Sequence, residues 1–293
     1  MNLLNNKKMR VFASLWLGIL WVLVSVITPL KAQNTPPKNL PVPPNMVWLQ
    51  DSLFVDKTEI ANLHWLEYLH YLKQSLGKNL ITQNFYKDQV PDSIICQTER
   101  GNLVTHPAYR YQPVVGVSFA QAQNYCKWRS MVVTELYNQQ NPAPEGTHWQ
   151  FTFRLPTIKE WEKAAKGGLD VSLYPHGLKK WYKIDTKAPV RMRPPDPLVN
   201  YRNHRSKRFT LKKVTHYPPN GLKIYQMIGN VAEMTATEGI AKGGSWRHRK
   251  EECKIRHQQR YFLPDNWLGF RCVCEVKLVN TPYHSTRDVF WFR

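Results

Sequence analysis

The sequence predicts an α+β domain with little regular secondary structure for its size. Three segments have the apolar spacing or the capping residues of helices, and the chain after residue 226 has short apolar runs separated by glycine. The 293 residues include 21 prolines and 14 glycines, which favours a loop-rich fold. With 42% apolar residues, the chain can bury one large core or two smaller ones.

The first 32 residues have the layout of a secretory signal peptide. Three cations precede the apolar run 11–27, and Ala32 is a small residue suited to a cleavage site. We expect cleavage near Ala32 and export to the periplasm or the outer membrane. An uncleaved anchor is the alternative. No other apolar run approaches the roughly 18 residues that cross a bilayer, so the mature chain is expected to be soluble.

The sequence predicts four segments: the signal peptide 1–32, a proline-rich linker 33–45, the domain 46–276 and a C-terminal tail 277–293. Within the domain, residues 58–76 have helical spacing. Asp56 and Glu59 are interpreted as residues at the start of that helix, stabilised by its cap and dipole.

Two further helices have stronger start signals. Ser118 is predicted to cap a helix that follows a short buried strand at 113–117. Thr157 and Glu160 form a capping box for the last helix. Short strands and tight turns are predicted around 227–231, 241–246 and 268–276.

Lys and Arg outnumber Asp and Glu by 41 to 21, which gives a net charge of +20 and favours anionic partners. The basic segment 179–213 contains interleaved aromatic residues. Export argues against nucleic acid, so we expect a solvated loop, or a surface for anionic lipid, glycan or an envelope protein. The cations that define this surface are Lys179, Lys180, Arg202, Arg205, Lys207, Arg208, Lys212 and Lys213.

Several motifs occur in a fixed order along the chain. They are Asp56-Lys57-Thr58-Glu59-Ile60, Val117-Ser118-Phe119, Arg154-Leu155-Pro156-Thr157, Gly229-Asn230-Val231-Ala232-Glu233-Met234, Lys242-Gly243-Gly244-Ser245-Trp246 and Gly269-Phe270-Arg271-Cys272. Together they resemble the formylglycine-generating enzyme (sulfatase-modifying factor) family. The resemblance implies that family's mixed fold, a distorted relative of the C-type lectin fold.

A closer resemblance concerns His106-Pro107-Ala108-Tyr109 and Trp128-Arg129-Ser130. These segments are similar to the Bacteroidota branch of the family, which includes gliding-motility and type IX secretion proteins. The resemblance implies envelope proteins as partners.

The enzymes of this family oxidise a substrate cysteine with O₂ and copper held by a Cys-x4-Cys pair. The corresponding stretch, 246–267, contains one cysteine, Cys253. Aligning Arg256 and Arg260 with the family's paired arginines places His257 at the second cysteine position. Cys253 and His257 are therefore the catalytic candidates, but we expect neither copper binding nor cysteine oxidation. For Cys253 the alternatives are a buried thiol or half of a disulfide with Cys274 or Cys96. For His257 the alternative is a polar loop or strand residue.

The resemblance also implies a disulfide and a calcium site. Cys126 and Cys272 occupy the positions of the family's disulfide, with two separate buried thiols as the alternative. Asn230 and Glu233 occupy a calcium-binding turn, with hydrogen bonding inside that turn as the alternative.

The expected function is that of an exported, non-catalytic domain with a structural or interaction role in the cell envelope. The first alternative is a copper- or iron-dependent oxidoreductase. The second is a calcium-assisted glycan-binding module.

Overall fold

The computed structural model describes residues 35–75, 80–180, 182–183, 196–202 and 210–281. The chain divides into two units, 1–34 and 35–293. The first unit, with the predicted signal peptide, lies outside the described residues. Within the described ranges, no helix combines the length and the hydropathy needed to cross a membrane.

The described part has four α-helices and twelve short strands, which confirms the predicted α+β class. The helices are α1 (Asn62–Ser75), α2 (Leu80–Gln89), α3 (Phe119–Gln140) and α4 (Ile158–Lys166). The strands are β1 (Met46–Gln50), β2 (Leu53–Asp56), β3 (Gln97–Thr98), β4 (Gly101–Asn102), β5 (His148–Arg154), β6 (Tyr182–Lys183), β7 (Asp196–Pro197), β8 (Ala232–Met234), β9 (Ile240–Lys242), β10 (Gln259–Arg260), β11 (Leu268–Gly269) and β12 (Val273–Val279).

Two four-stranded sheets form the frame of the domain. The first is antiparallel, in the order β1-β2-β12-β5, so the ends of the domain meet in one sheet. The second has the order β10-β9-β8-β11, and its β8–β11 pair is parallel. Two strand pairs, β3-β4 and β6-β7, lie outside these sheets.

The two helix caps predicted from the sequence are confirmed. Ser118 caps α3 and forms a capping box with Gln121. Thr157 and Glu160 form the predicted capping box of α4. Gly167 ends α4 in the left-handed region, with φ of +56°. Local side-chain chemistry therefore sets these helix ends.

The predicted start of the first helix is wrong. Helix α1 begins at Asn62, and the chain before it runs into a bridge between Ala61 and Pro113. Thr58 and Glu59 are buried. The Glu59 carboxyl accepts a hydrogen bond from the distant Asn230 side chain, and this contact takes the place of the predicted role at the helix start.

The strand predictions were correct in region and approximate in bounds. The 113–117 segment is buried but has only the bridge at Pro113, because its polar groups bond to irregular chain. The strand predicted at 227–231 is instead the turn before β8. The sequence predicted neither α2 nor four strands of the two main sheets, namely β1, β2, β5 and β10.

The packed domain extends beyond both predicted bounds. Pro41 and Pro43 are buried, and the Arg129 guanidinium donates to the Pro44 carbonyl at 3.2 Å. Part of the predicted linker therefore belongs to the domain. At the other end, β12 continues to Val279 because its edge pairs with β5 as far as His148.

The domain has two hydrophobic cores. The larger contains a group of aromatic rings with centroids 5.2–6.1 Å apart, contributed by α1, α3 and the segment before β12. The smaller packs α4 against the 224–228 segment and Ile255. These cores hold the motif residues in place.

Candidate functional site

A buried ion pair lies between the second sheet and the start of β12. The Arg271 guanidinium donates from Nε to Glu233 Oε2 and from Nη2 to Glu233 Oε1, both at 2.6 Å. The Trp161 indole donates to Glu233 Oε2 at 2.7 Å. The same guanidinium donates from Nη1 to the Asp56 carbonyl at 3.0 Å and from Nη2 to the Tyr225 carbonyl at 2.9 Å. Two motifs of the sequence, at residues 229–234 and 269–272, therefore meet in one buried ion pair.

Asn230 connects this pair to the segment before α1. Its amide donates to Glu59 Oε1 at 2.9 Å, and its carbonyl oxygen accepts from the Lys212 backbone at 2.9 Å and from Asn200 at 3.1 Å. Burial raises the pKa of Glu59 well above its ordinary value, and the nearby Glu233 raises it further against the opposing effect of Arg271. Burial is therefore the main effect of this environment on the Glu59 carboxyl, and it disfavours the charged form.

A second ion pair lies at the end of β2. The Asp56 carboxylate binds the Arg129 guanidinium through both oxygens, each at 2.9 Å, and accepts from the Cys272 backbone at 2.8 Å. Arg129 also lies 4.3 Å over the Phe153 ring. Asp56, interpreted from the sequence as a helix-start residue, instead joins β2 to α3 and to the segment before β12.

The side-chain oxygens of Asn230 and Glu233 are already bonded to protein groups, so few of them are available to a calcium ion. Both Glu233 oxygens accept from Arg271, whose positive charge already balances the carboxylate. The Asn230 oxygen accepts two protein hydrogen bonds. Ca²⁺ prefers several oxygens with uncompensated negative charge, so this donor set does not fit it well. The side-chain partners of Asn230 and Glu233 lie outside the turn, so the alternative of hydrogen bonding inside the turn does not describe them either.

The predicted catalytic cysteine lies in the smaller core. The Cys253 side chain is fully buried behind Gly244. Burial raises its pKa to about 12, and Glu252 and Glu251 add to the shift. The raised pKa favours the protonated thiol at neutral pH, whereas nucleophiles and metal ligands need the thiolate.

Gly244 has no side chain, and this leaves the space that the Cys253 side chain occupies. Replacing Gly244 should therefore destabilise the fold. Its φ is +66°, and a Cβ there would lie 2.5 Å from Cys253 Sγ and 3.1 Å from Cys253 Cα. We expect Gly244→Ala to lower the free energy of unfolding by about 2–4 kcal/mol, from backbone strain and overpacking. Urea unfolding followed by tryptophan fluorescence measures the change.

Gly146→Ala is the matched control. Gly146 also has positive φ, +74°, but a Cβ there meets nothing within 4 Å. This variant should lose about 1 kcal/mol, from backbone conformation alone. Equal losses in the two variants would show that the contact between Gly244 and Cys253 does not matter.

His257 is not a buried partner of Cys253, because its side chain is exposed. The structure draws attention instead to His248, which the sequence analysis missed. His248 Nδ1 lies 2.6 Å from Ser245 Oγ, and its ring packs on Trp267 with centroids 4.9 Å apart. Burial lowers the pKa of His248 to about 4, so the imidazole is neutral at pH 7.

The His248–Cys253 separation equals that of a Cys-x4-Cys pair. Counting forward from the Gly243-Gly244 turn without a gap would have found it. Even so, one neutral imidazole and one buried, protonated thiol do not fit a copper site built for two thiolates. Within the described ranges, no three His, Cys, Asp or Glu residues form a group that could hold a metal ion.

The predicted disulfide partners lie together. Cys126 Sγ and Cys272 Sγ are 3.5 Å apart in the larger core, and both side chains are buried. They are present as thiols in this structure. Burial and the neighbouring Cys126 raise the pKa of Cys272. The fold thus brings together the pair that the resemblance implies, and their oxidation remains a prediction.

The predicted basic surface is described in part. The side chains of Lys179, Lys180, Arg202 and Lys213 are exposed, and Lys212 is half-buried. Arg205, Lys207 and Arg208 lie outside the described residues.

Comparison with known protein families gives a direct result. Residues 26–276 match the model of the sulfatase-modifying factor enzyme 1-like domain. The chain belongs to this family. The match covers every motif of the buried network and confirms the formylglycine-generating-enzyme-like fold that the motifs implied.

Curated relatives of this sulfatase-modifying factor domain have different activities in their names. The formylglycine-generating enzyme of Bos taurus is 27% identical over 272 residues, covering 77% of this chain and 66% of that protein. The inactive C-alpha-formylglycine-generating enzyme 2 of Bos taurus is 29% identical over 177 residues, 55% of this chain and 49% of that protein.

The serine/threonine-protein kinase pkn1 of Chlamydia pneumoniae is 26% identical over 255 residues, covering 77% of this chain. The chain spans about a third of that kinase's length, since the match covers 33% of it. Among solved structures, PvdO from Pseudomonas aeruginosa has 16% identity and a TM-score of 0.48, with 76% of this chain and 80% of PvdO covered.

Proposed function

We propose that this chain is a non-catalytic member of the sulfatase-modifying factor family, exported to act as a structural or interaction component of the cell envelope. The observation that carries the proposal is the state of Cys253, a fully buried thiol with a pKa raised to about 12. An oxidase of this family needs a reactive thiolate pair, and Cys253 is the one cysteine in the corresponding stretch.

The remaining motif residues support a structural role. Glu233, Arg271 and Asn230 bind one another, the backbone or neighbouring buried side chains. A link to type IX secretion and gliding motility is proposed on the sequence resemblance alone. That one relative of similar identity is named inactive is consistent with loss of activity within the family.

Copper binding and thiol reactivity test the non-catalytic proposal. We expect the purified chain, reduced and loaded with Cu(I), to retain no stoichiometric copper after desalting. Cys253 should stay unreactive toward a thiol reagent until the chain is unfolded, because its Sγ is buried. Mass spectrometry after labelling identifies which cysteines react.

Three variants make this result specific. Cys253→Ser and His248→Gln should leave the copper content unchanged, and Cys96→Ser is the control, because its thiol is also buried with a pKa of about 12. One copper per chain that is lost in Cys253→Ser and retained in Cys96→Ser would overturn the proposal and favour the oxidoreductase.

A calcium titration of the same preparation, with unfolding temperature as readout, tests the glycan-binding alternative.

A further inference from the structure

Two large apolar side chains lie in solvent on the loop that follows β10. Phe262 is 91% exposed and Leu263 is 75% exposed, whereas the preceding Tyr261 is buried. Consecutive apolar side chains with this exposure are typical of an interaction site. We call Phe262 and Leu263 the apolar tip.

The apolar tip is flanked by cations of its own segment. Residues 247–263 contain six Lys or Arg, and their acidic residues are Glu251 and Glu252. The side chains of Arg256 and Arg260 are exposed. The segment is therefore net positive where the apolar tip meets solvent.

Packing brings further cations to this segment. Arg247 donates to Asp265 Oδ2 at 3.1 Å and lies 5.3 Å over the Trp267 ring, so it is held beside the loop of the apolar tip. The Arg202 backbone donates to the His248 carbonyl at 2.9 Å, and the Arg202 side chain is exposed. A cation from the predicted basic surface thus lies next to this segment.

The segment that carries Lys179 and Lys180 lies against it as well. The Ile255 amide donates to the Pro175 carbonyl at 2.8 Å. Backbone contacts therefore bring two distant segments that carry exposed cations to residues 247–263. We call this set of exposed cations the basic collar: Lys179, Lys180, Arg202, Arg247, Arg256 and Arg260.

We propose that the apolar tip and the basic collar form a docking face for an anionic lipid bilayer. The apolar tip enters the boundary between headgroups and acyl chains, and the collar contacts lipid phosphates. An exposed aromatic–aliphatic pair beside Lys and Arg is the composition that binds membrane interfaces. Attraction of the collar to an anionic leaflet adds to insertion. A side chain that is already 91% exposed can enter a bilayer without rearrangement of its neighbours.

This inference names the partner of the interaction role proposed above and rests on that role. A cosedimentation experiment with the mature chain, purified after cleavage of the predicted signal peptide, tests it, using vesicles of phosphatidylcholine alone or with phosphatidylglycerol. We expect binding to the anionic vesicles that weakens with salt. Phe262→Ser combined with Leu263→Ser should reduce the partition coefficient about tenfold. Arg256→Glu combined with Arg260→Glu should reduce it at least about thirtyfold.

Matched variants control for charge, hydrophobicity and folding. Lys87→Glu combined with Lys127→Glu makes the same change of net charge at exposed positions on α2 and α3. Leu136→Ser removes a 45% exposed leucine from α3, which packs on the other sheet. Both controls should bind like the unchanged chain, and all variants should keep its unfolding temperature.

Several outcomes would overturn the inference. They are absent binding, equal binding to neutral vesicles, and equal losses in the control variants. Retention on soluble dextran sulfate that needs the arginines but not the apolar tip, without vesicle binding, would indicate a glycan instead. None of these results alters the copper and thiol readouts, so failure here is distinguishable from failure of the non-catalytic proposal.

Discussion

Oxidative refolding should join Cys126 to Cys272 and raise the free energy of unfolding by about 4–5 kcal/mol in the chain-entropy model. The effect is large because the two cysteines are 146 positions apart, and the bond would tie α3 to the segment before β12. The two thiols already lie 3.5 Å apart, so little movement is needed to close the bond. Refolding in a glutathione redox buffer is the appropriate route, because the folded core shields both thiols.

Thiol counting and intact mass report the bond. Of the five cysteines, three should remain free, and peptide mapping should place the bond between Cys126 and Cys272. Cys126→Ser should abolish the gain in stability, and Cys96→Ser should preserve it. Five free thiols after oxidative refolding, or a bond that involves Cys274, would contradict the prediction.

Arg271→Met should lower the free energy of unfolding by about 3–5 kcal/mol. The substitution leaves the Glu233 carboxylate, only 1% exposed, without its counter-ion, and two carbonyls lose their donors. Guanidinium chloride unfolding, with fluorescence and circular dichroism as probes, measures the loss.

Arg154→Met is the matched control for this prediction. It removes a bidentate pair with Glu160 whose side chains are 37% and 17% exposed, so the expected loss is at most about 1 kcal/mol. Combining Arg271→Met with Glu233→Gln should recover part of the stability, because no uncompensated charge stays buried. A loss below that of Arg154→Met would show that the buried pair contributes little to stability.

Helix caps and tight turns were predictable because their causes lie within a few residues. Ser118 and Thr157 bond to backbone groups three positions ahead, and the Gly243-Gly244 turn has positive φ at both residues. The same local reasoning failed at Glu59. Its position suggested a helix start, but its partner Asn230 is 171 positions away.

The site was predicted as a set of positions but not as a set of contacts. The motifs singled out Asn230, Glu233, Cys126 and Cys272, and the structure buries all four side chains. Their order along the chain could not show that Arg271 binds both oxygens of Glu233, because the two residues are 38 positions apart and meet only through tertiary packing.

Sequence alone determined the family, the α+β class, the helix caps, the excess of positive charge and the single cysteine in the catalytic stretch. These depend on residue identity and on short-range spacing. The tertiary structure decided that Cys253 is buried behind Gly244, that Glu233 is neutralised by Arg271, and that two distant segments with exposed cations contact residues 247–263, which end in the exposed Phe262 and Leu263. Burial and long-range charge pairing exist only once distant segments pack, so no local pattern could have specified them.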